Sequence, residues 1–423
     1  MPSADLPEVQ RTATPVRGTR VAGDDPAASA RDVTVRAPRG RRARRKVRTG
    51  RRHTILKVVG ATVLALAMVT GLGTIYLYRH LSDNLTVSNA FDQQTFKAKD
   101  PFAASPNRPI NILVMGEDSR DCSGCDIDGL TGQGARSDTT ILVHLSADKQ
   151  HAYGISIPRD SMVDRPACKT NSGGSSPAAS NQMWNAAFSI GGAACTISQV
   201  EYTTGVHIDH FVVVDFESFK GMVDAIGGVK VCLAQPVNDP LAQLNLPAGE
   251  QTLSGSDALG FVRERHAIGD GSDLGRVKRQ QAFISSMVNA AMSAGTLANP
   301  VKLVRFLDAA TKGLTVDPGL GNVNKLASLG YDFRNIGMSK IQFLTVPWEY
   351  DPSDPNRVIW KPEAAAMWKA LKYDRPLNKD LTSTAINVND APGAKHHAKK
   401  HKSPSGASST GGQSQLQQAG LCG

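Results

Sequence analysis

Twenty-one consecutive residues, Val58–Tyr78 (VVGATVLALAMVTGLGTIYLY), carry no formal charge. At about 1.5 Å per residue a helix of that length crosses the roughly 30 Å of a bilayer's hydrocarbon layer. Tyr76 and Tyr78 fall where an interfacial aromatic belt is expected. The chain is therefore expected to consist of an arm, a span and whatever folds beyond it. Charge gives the span a direction. The chain holds 48 Lys and Arg against 38 Asp and Glu, a net of +10. Residues 1–57 contain 15 of the former and 5 of the latter, so the arm carries the whole excess and the remaining 366 residues are neutral. A cluster such as RRARRKVRTGRR (41–52) on one flank of a span marks the cytoplasmic side, which places everything after Tyr78 outside. About fifty residues precede the apolar run, too many for a cleaved signal peptide, and Arg51-Arg52, read as a twin-arginine signal, would leave the later residues on the same side. No DNA- or RNA-recognition motif stands behind the basic arm, so no nucleic-acid partner is expected.

All six cysteines (122, 125, 168, 195, 232 and 422) lie beyond the span, where an oxidising environment lets them pair. Cys122 and Cys125 form a lone CxxC without a second pair or a suitably spaced His, which argues against zinc there. The pairs expected are Cys122–Cys125 and Cys168–Cys195. Cys232 sits in an apolar run and is expected to be buried, and Cys422 is expected to be free in the tail.

The expected organisation is a disordered basic cytoplasmic arm (1–54), a transmembrane helix (55–78), a polar stalk (79–109), a folded domain (110–385) and a low-complexity tail (386–423) without a required role. Within the domain, short apolar runs alternate with helical stretches, the pattern of an α/β layered fold. Strands are expected at 110–115, 139–145, 152–157, 211–216 and 229–233. Helices are expected near 216–226, 276–292 and 300–313, with a strand and a final helix within 341–373. Ser146-Ala-Asp-Lys149 matches the loose S-x-x-K pattern but has none of its downstream partners. His207 and His210 have no third ligand at metal spacing and read as structural.

What remains for chemistry is a set of Arg and Asp at element ends: Asp118 and Arg120 after the first strand, Arg136 and Asp138 before the second, Arg159 after the third. Arg263 and Arg265 end the run ALGFVRER, where an extended chain would point both guanidiniums the same way. Arg276, Arg279 and Gln280 share one face of a helix. Ligand sites in α/β sheets lie beyond strand ends. Several guanidinium forks suit an anion with many oxygens, and two carboxylates beside that anion call for a bridging divalent cation. Mg²⁺ uses one or two carboxylates plus phosphate oxygens, so a magnesium-bound diphosphate fits the set.

The motifs NILVMGEDSR (111–120), RSDTTIL (136–142), SIPRD (156–160), NAAFSIGG (185–192), DAIGGVKV (224–231), ALGFVRERH (258–266) and DLGRVKRQQ (273–281) stand in the order seen in LytR-CpsA-Psr proteins. The later segment FLTVPWEYDPSDPNRVIW (343–360) resembles the second half of that domain in actinobacterial members. The resemblance implies one α/β domain with a central mixed sheet flanked by helices, behind a single span. It also implies a phosphotransferase that moves a glycopolymer from a polyprenyl diphosphate carrier to a peptidoglycan sugar hydroxyl. Residue by residue, it implies Mg²⁺ at Asp118 and Asp138 and a catalytic set of Asp118, Arg136, Arg159, Arg263 and Arg265. Arg120, Arg276, Gln280 and Gln281 would support the substrate, and an apolar pocket would take the prenyl tail. Two other activities fit the same residues: a non-catalytic sensor of the prenyl diphosphate, or a hydrolase. The chain departs from the family pattern at Glu117, where Ser or Thr is usual. It departs again in the longer segment 121–135, whose Asp126 and Asp128 are competing metal ligands.

Overall fold

A computed structural model describes residues 50–118, 136–240, 242–264, 268, 273–297, 299–390, 416–417 and 419–422. Residues 1–49 of the expected arm, Arg120, Cys122, Cys125, Asp126, Asp128 and Arg265 lie outside these residues, whereas residues 50–54, expected to be disordered, are helical. The chain divides into two units, Met1–Ala65 and Leu66–Gly423. In the first, the described residues are the opening turns of helix α1 (Gly50–Asp83). The stretch His53–Asp83 of this helix is long and apolar enough to cross a membrane, with a mean hydropathy of 2.1. Its Leu64, Met68 and Leu72 side chains are exposed, as a helix solvated by lipid requires.

The second unit is organised by an eight-stranded sheet. Its strands are β1 (Thr86–Val87), β2 (Ile110–Asp118), β3 (Arg136–Leu145), β4 (Ala152–Ile157), β5 (His210–Asp215), β6 (Leu314–Val316), β7 (Ile341–Thr345) and β8 (Ile386–Asn387), in the order β1-β6-β5-β2-β3-β4-β7-β8. The pairs β1/β6, β5/β2 and β4/β7 are parallel and the other neighbours antiparallel. This is the mixed sheet that the sequence led us to expect. The helices that cover it are α2 (Ala186–Thr204), α3 (Phe216–Ala225), α4 (Gly255–Arg263), α5 (Asp273–Met292), α6 (Pro300–Lys312), α7 (Val323–Ile336) and α8 (Glu363–Lys372).

Side chains alternate across a strand, and here the two faces have different fates. Leu113, Met115, Leu142, Ile155, Phe211 and Val213 belong to one core with Trp184, Ile197, Val200, Met367 and Leu371 of the α2 and α8 side. The other face, with Val114, Ile141, Val143 and Val214, looks toward α3, α4 and α5 across a cavity described below. Helix α2 kinks at Gly191-Gly192. A Cβ at Gly191 would run into the Lys169 carbonyl, and the disulfide Cys168–Cys195 closes the same contact. That pairing matches the expected one.

Val229–Leu233 is the strand expected and pairs antiparallel with Gly249–Leu253, outside the central sheet. Two expectations are corrected. The segment 79–109 is no detached stalk. Its Thr86–Val87 extends the sheet, and the Ala98 amide donates to the buried Glu201 carboxylate on α2. Arg108 pairs with Asp209 and lies 3.6 Å from Asp100. The tail is also part of the fold: Ile386–Asn387 closes one sheet edge, and Cys422 is disulfide-bonded to Cys232 rather than free. Leu421 bridges Leu233, and Leu416, Ala419 and Leu421 are buried in a second core with Val231, Leu233, Phe261 and Phe283. These contacts join residues 190 positions apart, a separation at which local patterning gives no signal.

The terminal staple generates a stability test. A native disulfide contributes about 2–4 kcal/mol, and each fully buried Leu about 1.5–3 kcal/mol. Cys422→Ser is expected to lower the unfolding midpoint of the detergent-solubilised chain, and deletion of 416–423 to lower it further. Equal midpoints for the parent and both variants, measured by calorimetry, would show the tail to be peripheral.

Candidate functional site

One edge of the sheet collects the chemistry. Strands β2, β4, β5 and β7 finish there, and the antiparallel β3 begins there. Glu117 and Asp118 end β2, Asp138 lies near the start of β3, Asp215 ends β5, and Asp160 follows β4. Each carboxylate for which a partner is resolved has one suited to its burial. Asp138 Oδ1 accepts from Arg159 Nη1 at 2.8 Å, and Asp160 accepts from Arg159 Nε at 3.3 Å. Arg357, on the hairpin Trp348–Asp351/Asp354–Trp360, adds a second guanidinium 3.6 Å from Asp160. Arg263 Nη2 lies 3.9 Å from Asp118 Oδ2, and its guanidinium carbon sits 4.8 Å above the Phe216 ring, a cation–π geometry. Asp215 caps α3 by accepting the Ser218 amide at 2.7 Å.

Glu117 opposes Asp215 directly in the parallel β2/β5 register. Burial, and secondarily the Asp215 charge, push its carboxyl above the usual carboxylate range. A Ser or Thr at this position would carry no such charge.

Behind this edge lies a cavity of about 350 Å³ between the sheet and helices α3, α4, α5 and α7. Its walls are almost wholly apolar, from Val114, Ile141 and Val214 on the sheet to Ile284, Met287 and Val288 on α5 and Phe333 on α7. Gly116, Thr139, Asp215, Phe216 and Gln280 line it where it meets the charged edge. Gln280 spans this mouth, donating to the Val262 carbonyl at 3.1 Å and accepting from Thr139 Oγ1 at 3.4 Å. Further in, Gly154 leaves room for Phe343, whose ring a Cβ at that position would strike.

Of the residues expected at the site, the structure joins Asp118 with Arg263 and Asp138 with Arg159, and places Gln280 at the cavity mouth. Arg136 is the backbone partner of Asp118 in the β2/β3 register. Arg276 is buried on α5. Gln281 donates to Thr345 Oγ1 at 3.0 Å, at the carboxyl end of β7. The reading of ALGFVRER as extended is corrected: Gly255–Arg263 is a helix capped by Ser254, which accepts from Asp257 N. Arg279, on the same expected face as Gln280, instead points into the core. It is fully buried, donating to the Ile268 and Glu264 carbonyls at 2.8 and 2.6 Å and lying 3.4 Å from the Glu264 carboxylate. Asp160, Phe216 and Arg357 were not selected from the sequence, although Asp160 and Arg357 stand within quoted motifs. His207 and His210 are structural, held by Glu201 and Asp317 at 3.1 Å, and Ser146 Oγ organises the β3–β4 turn by accepting the Gln150 and His151 amides.

A model of the LytR_cpsA_psr family matches residues 75–373. The chain belongs to this family. It is 32% identical over 327 residues to the cell wall biosynthesis protein LcpA of Corynebacterium glutamicum, an alignment covering 70% of this chain and 60% of LcpA. The chain thus spans about three fifths of that relative's length. It is 26% identical over 316 residues to TagT of Bacillus subtilis, named a polyisoprenyl-teichoic acid–peptidoglycan teichoic acid transferase, covering 70% of this chain and 92% of TagT. Among solved structures, a LytR-Csp2A-Psr enzyme from Actinomyces oris superimposes with a TM-score of 0.51 at 21% identity, over 68% of this chain and 96% of that one. That likeness establishes the fold. The LytR_cpsA_psr match ends at residue 373, so the disulfide-anchored end Leu416–Cys422 lies beyond it.

Glu117 yields a pH test within the family fold. A raised carboxyl binds its proton more tightly folded than unfolded, so its ionisation opposes folding. The penalty is absent below its ordinary value of 4.5 and is fully present above the raised folded value. Glu117→Gln is expected to raise the unfolding midpoint near pH 8, the gain shrinking toward zero at about pH 4. A gain that does not depend on pH would place the effect elsewhere.

Proposed function

We propose that this chain transfers a phosphate-linked glycopolymer from a polyprenyl diphosphate carrier to a sugar hydroxyl of peptidoglycan. One observation carries the reading: an edge of guanidiniums and carboxylates opens directly onto an apolar cavity of about 350 Å³. That pairing suits a substrate with an anionic head and a long hydrocarbon tail, and the transferase name of TagT agrees with it.

In this reading the prenyl chain lies along the cavity between the sheet and α5, and the diphosphate rests at the edge. Arg159 and Arg263 turn their forks from Asp138 and Asp118 toward phosphate oxygens, with Arg120, Arg136, Arg265 and Arg276 adding positive charge. Gln280 and Gln281 fix the mouth. The acceptor hydroxyl attacks the phosphorus bearing the glycan, the bridging P–O bond of the anhydride breaks, and polyprenyl phosphate leaves. Positioning and charge stabilisation supply most of the rate in such transfers. Glu117, pushed upward by burial, is the carboxylate of this edge best matched to take the hydroxyl proton. Asp118 and Asp138 fit Mg²⁺ by the chemistry of their donor set, two carboxylates beside the place of phosphate oxygens. They would hold the ion, which neutralises charge on the transferring group.

The energy of transfer resides in the donor's phosphoanhydride, so no nucleotide is needed outside the cell. The basic arm directs α1 with its N-terminus in the cytoplasm, and the disulfides Cys168–Cys195 and Cys232–Cys422 suit an extracytoplasmic domain. The membrane keeps enzyme and carrier together.

The test mixes the full chain in detergent with lipid-linked glycan, Mg²⁺ and a peptidoglycan oligomer. Glycan on the oligomer supports the proposal. Free phosphorylated glycan would point to a hydrolase, and binding without turnover to a sensor. Arg263→Ala is expected to lower the transfer rate by about 10²–10³-fold, the effect of losing one donor to a developing charge. Val288→Trp, on the cavity wall, is expected to raise KM for long-chain carriers while sparing a carrier of two or three isoprene units. Equal effects on long and short carriers would remove the tail from the cavity.

A further inference from the structure

At the sheet edge opposite the charged site, His144 ends up fully buried near the finish of β3. Its Nδ1 lies 2.7 Å from Asn111 Oδ1, the side chain of its register partner on β2. The Asn111 amide has a fixed orientation because its Nδ2 donates to the His207 carbonyl at 2.9 Å. The oxygen therefore faces the ring, and His144 Nδ1 carries the hydrogen. In the neutral ring Nε2 then presents a lone pair, yet it sits 3.1 Å from Asp374 Oδ1, another acceptor. Two acceptors at that distance need a positive species between them.

A proton would satisfy those two atoms and leave a third group unexplained. A ring nitrogen of His151 lies within 4.8 Å of the other two ligand atoms, and its Nε2 is buried with no hydrogen-bond partner. The other Asp374 oxygen is pinned by the Ala147 amide at 3.1 Å, and Asp374 holds a left-handed backbone, φ 50°. That conformation, which few residues other than Gly, Asn and Asp adopt, sets the direction of the carboxylate.

We propose that His144, His151 and Asp374 form a zinc site that ties the β3–β4 turn to the end of α8. Two imidazole nitrogens and one carboxylate oxygen are a zinc ligand set, with a fourth position for water; Mg²⁺ and Ca²⁺ prefer oxygen alone. Asn111 supplies the outer contact that zinc-bound histidines characteristically make through their second nitrogen. The site lies six residues of β3, about 20 Å, from Asp138 at the transfer edge, and its role is to hold the fold.

The experiment uses the full chain in detergent, stripped of metal. His396, His397 and His401 are replaced by Ala throughout, because the tail's KHHAKKHK would also take up zinc. Zinc uptake and the visible spectrum of added Co²⁺ are compared among this parent, His151→Ala and Asp374→Asn. An asparagine side chain keeps an oxygen for the Ala147 amide, so the Asp374→Asn variant preserves the turn. The parent is expected to bind one equivalent more than either variant, with a tetrahedral Co²⁺ band and a raised unfolding midpoint. Both signatures disappear in the variants, with affinity at that site down by more than about 100-fold. No stoichiometric uptake by the parent, or uptake and spectrum identical in all three, would overturn the proposal and leave a His144–Asp374 ion pair.

Discussion

Carboxylates gathered at one end of a sheet repel each other unless cations are brought to meet them, and this requirement shapes the second unit. Glu117, Asp118, Asp138, Asp160 and Asp215 are delivered to the same edge by strand direction alone. Their compensation comes from elsewhere in the chain: Arg159 from the end of β4, Arg263 from the end of α4, Arg357 from a hairpin, and the amino end of α3 for Asp215. Each acid–base contact is therefore also a tertiary contact. In the proposed reaction, a phosphate entering the edge would offer the guanidiniums a second bidentate partner in place of the carboxylates they now hold. The released carboxylates would then suit the divalent cation of that proposal.

The cavity behind the edge is a second constraint. The space of about 350 Å³, open at its mouth, leaves its apolar walls without the packing contacts that side chains make elsewhere in the core. Filling it would be easy by substitution, since its walls already consist of Val, Ile, Met and Phe. The space is kept on one face of the sheet while the other face packs against Trp184 and α2, as the proposed prenyl tail would require. Gly154 shows that the wall is fitted closely, since even one methyl group there meets Phe343.

What the sequence made legible follows the range of the interactions. The central strands announced themselves by continuous apolar runs bounded by Gly, Pro and charge, and the ends of those runs marked Asp118, Asp138 and Arg159. The helix Gly255–Arg263 was read as extended because a short apolar run ending in alternating Arg carries no decisive period, and its cap, Ser254 to Asp257, is easily passed over. The segment 79–109 and the C-terminal end looked solvent-directed because their composition is polar. They are held instead by a handful of specific long-range contacts, Glu201 to Ala98 and Cys232 to Cys422, which no local pattern encodes. Arg357 escaped for the same reason: only the fold brings its hairpin to Asp160.

The neighbours Arg279 and Gln280 show how one step along a helix separates support from site. A rotation of about 100° turns Gln280 to the cavity mouth and Arg279 into the core, where it meets both the backbone and the carboxylate of Glu264. A buried ion pair contributes little net stability by itself because desolvation cancels much of the attraction. Its value here is geometric. Glu264 directly follows Arg263, so the pair fixes the exit of α4 against the second turn of α5. That contact sets the end of α4 from which Arg263 reaches Phe216 and Asp118. The Arg263 head is thereby held between the Asp118 carboxylate and the Phe216 ring, at the edge where the proposed diphosphate would rest.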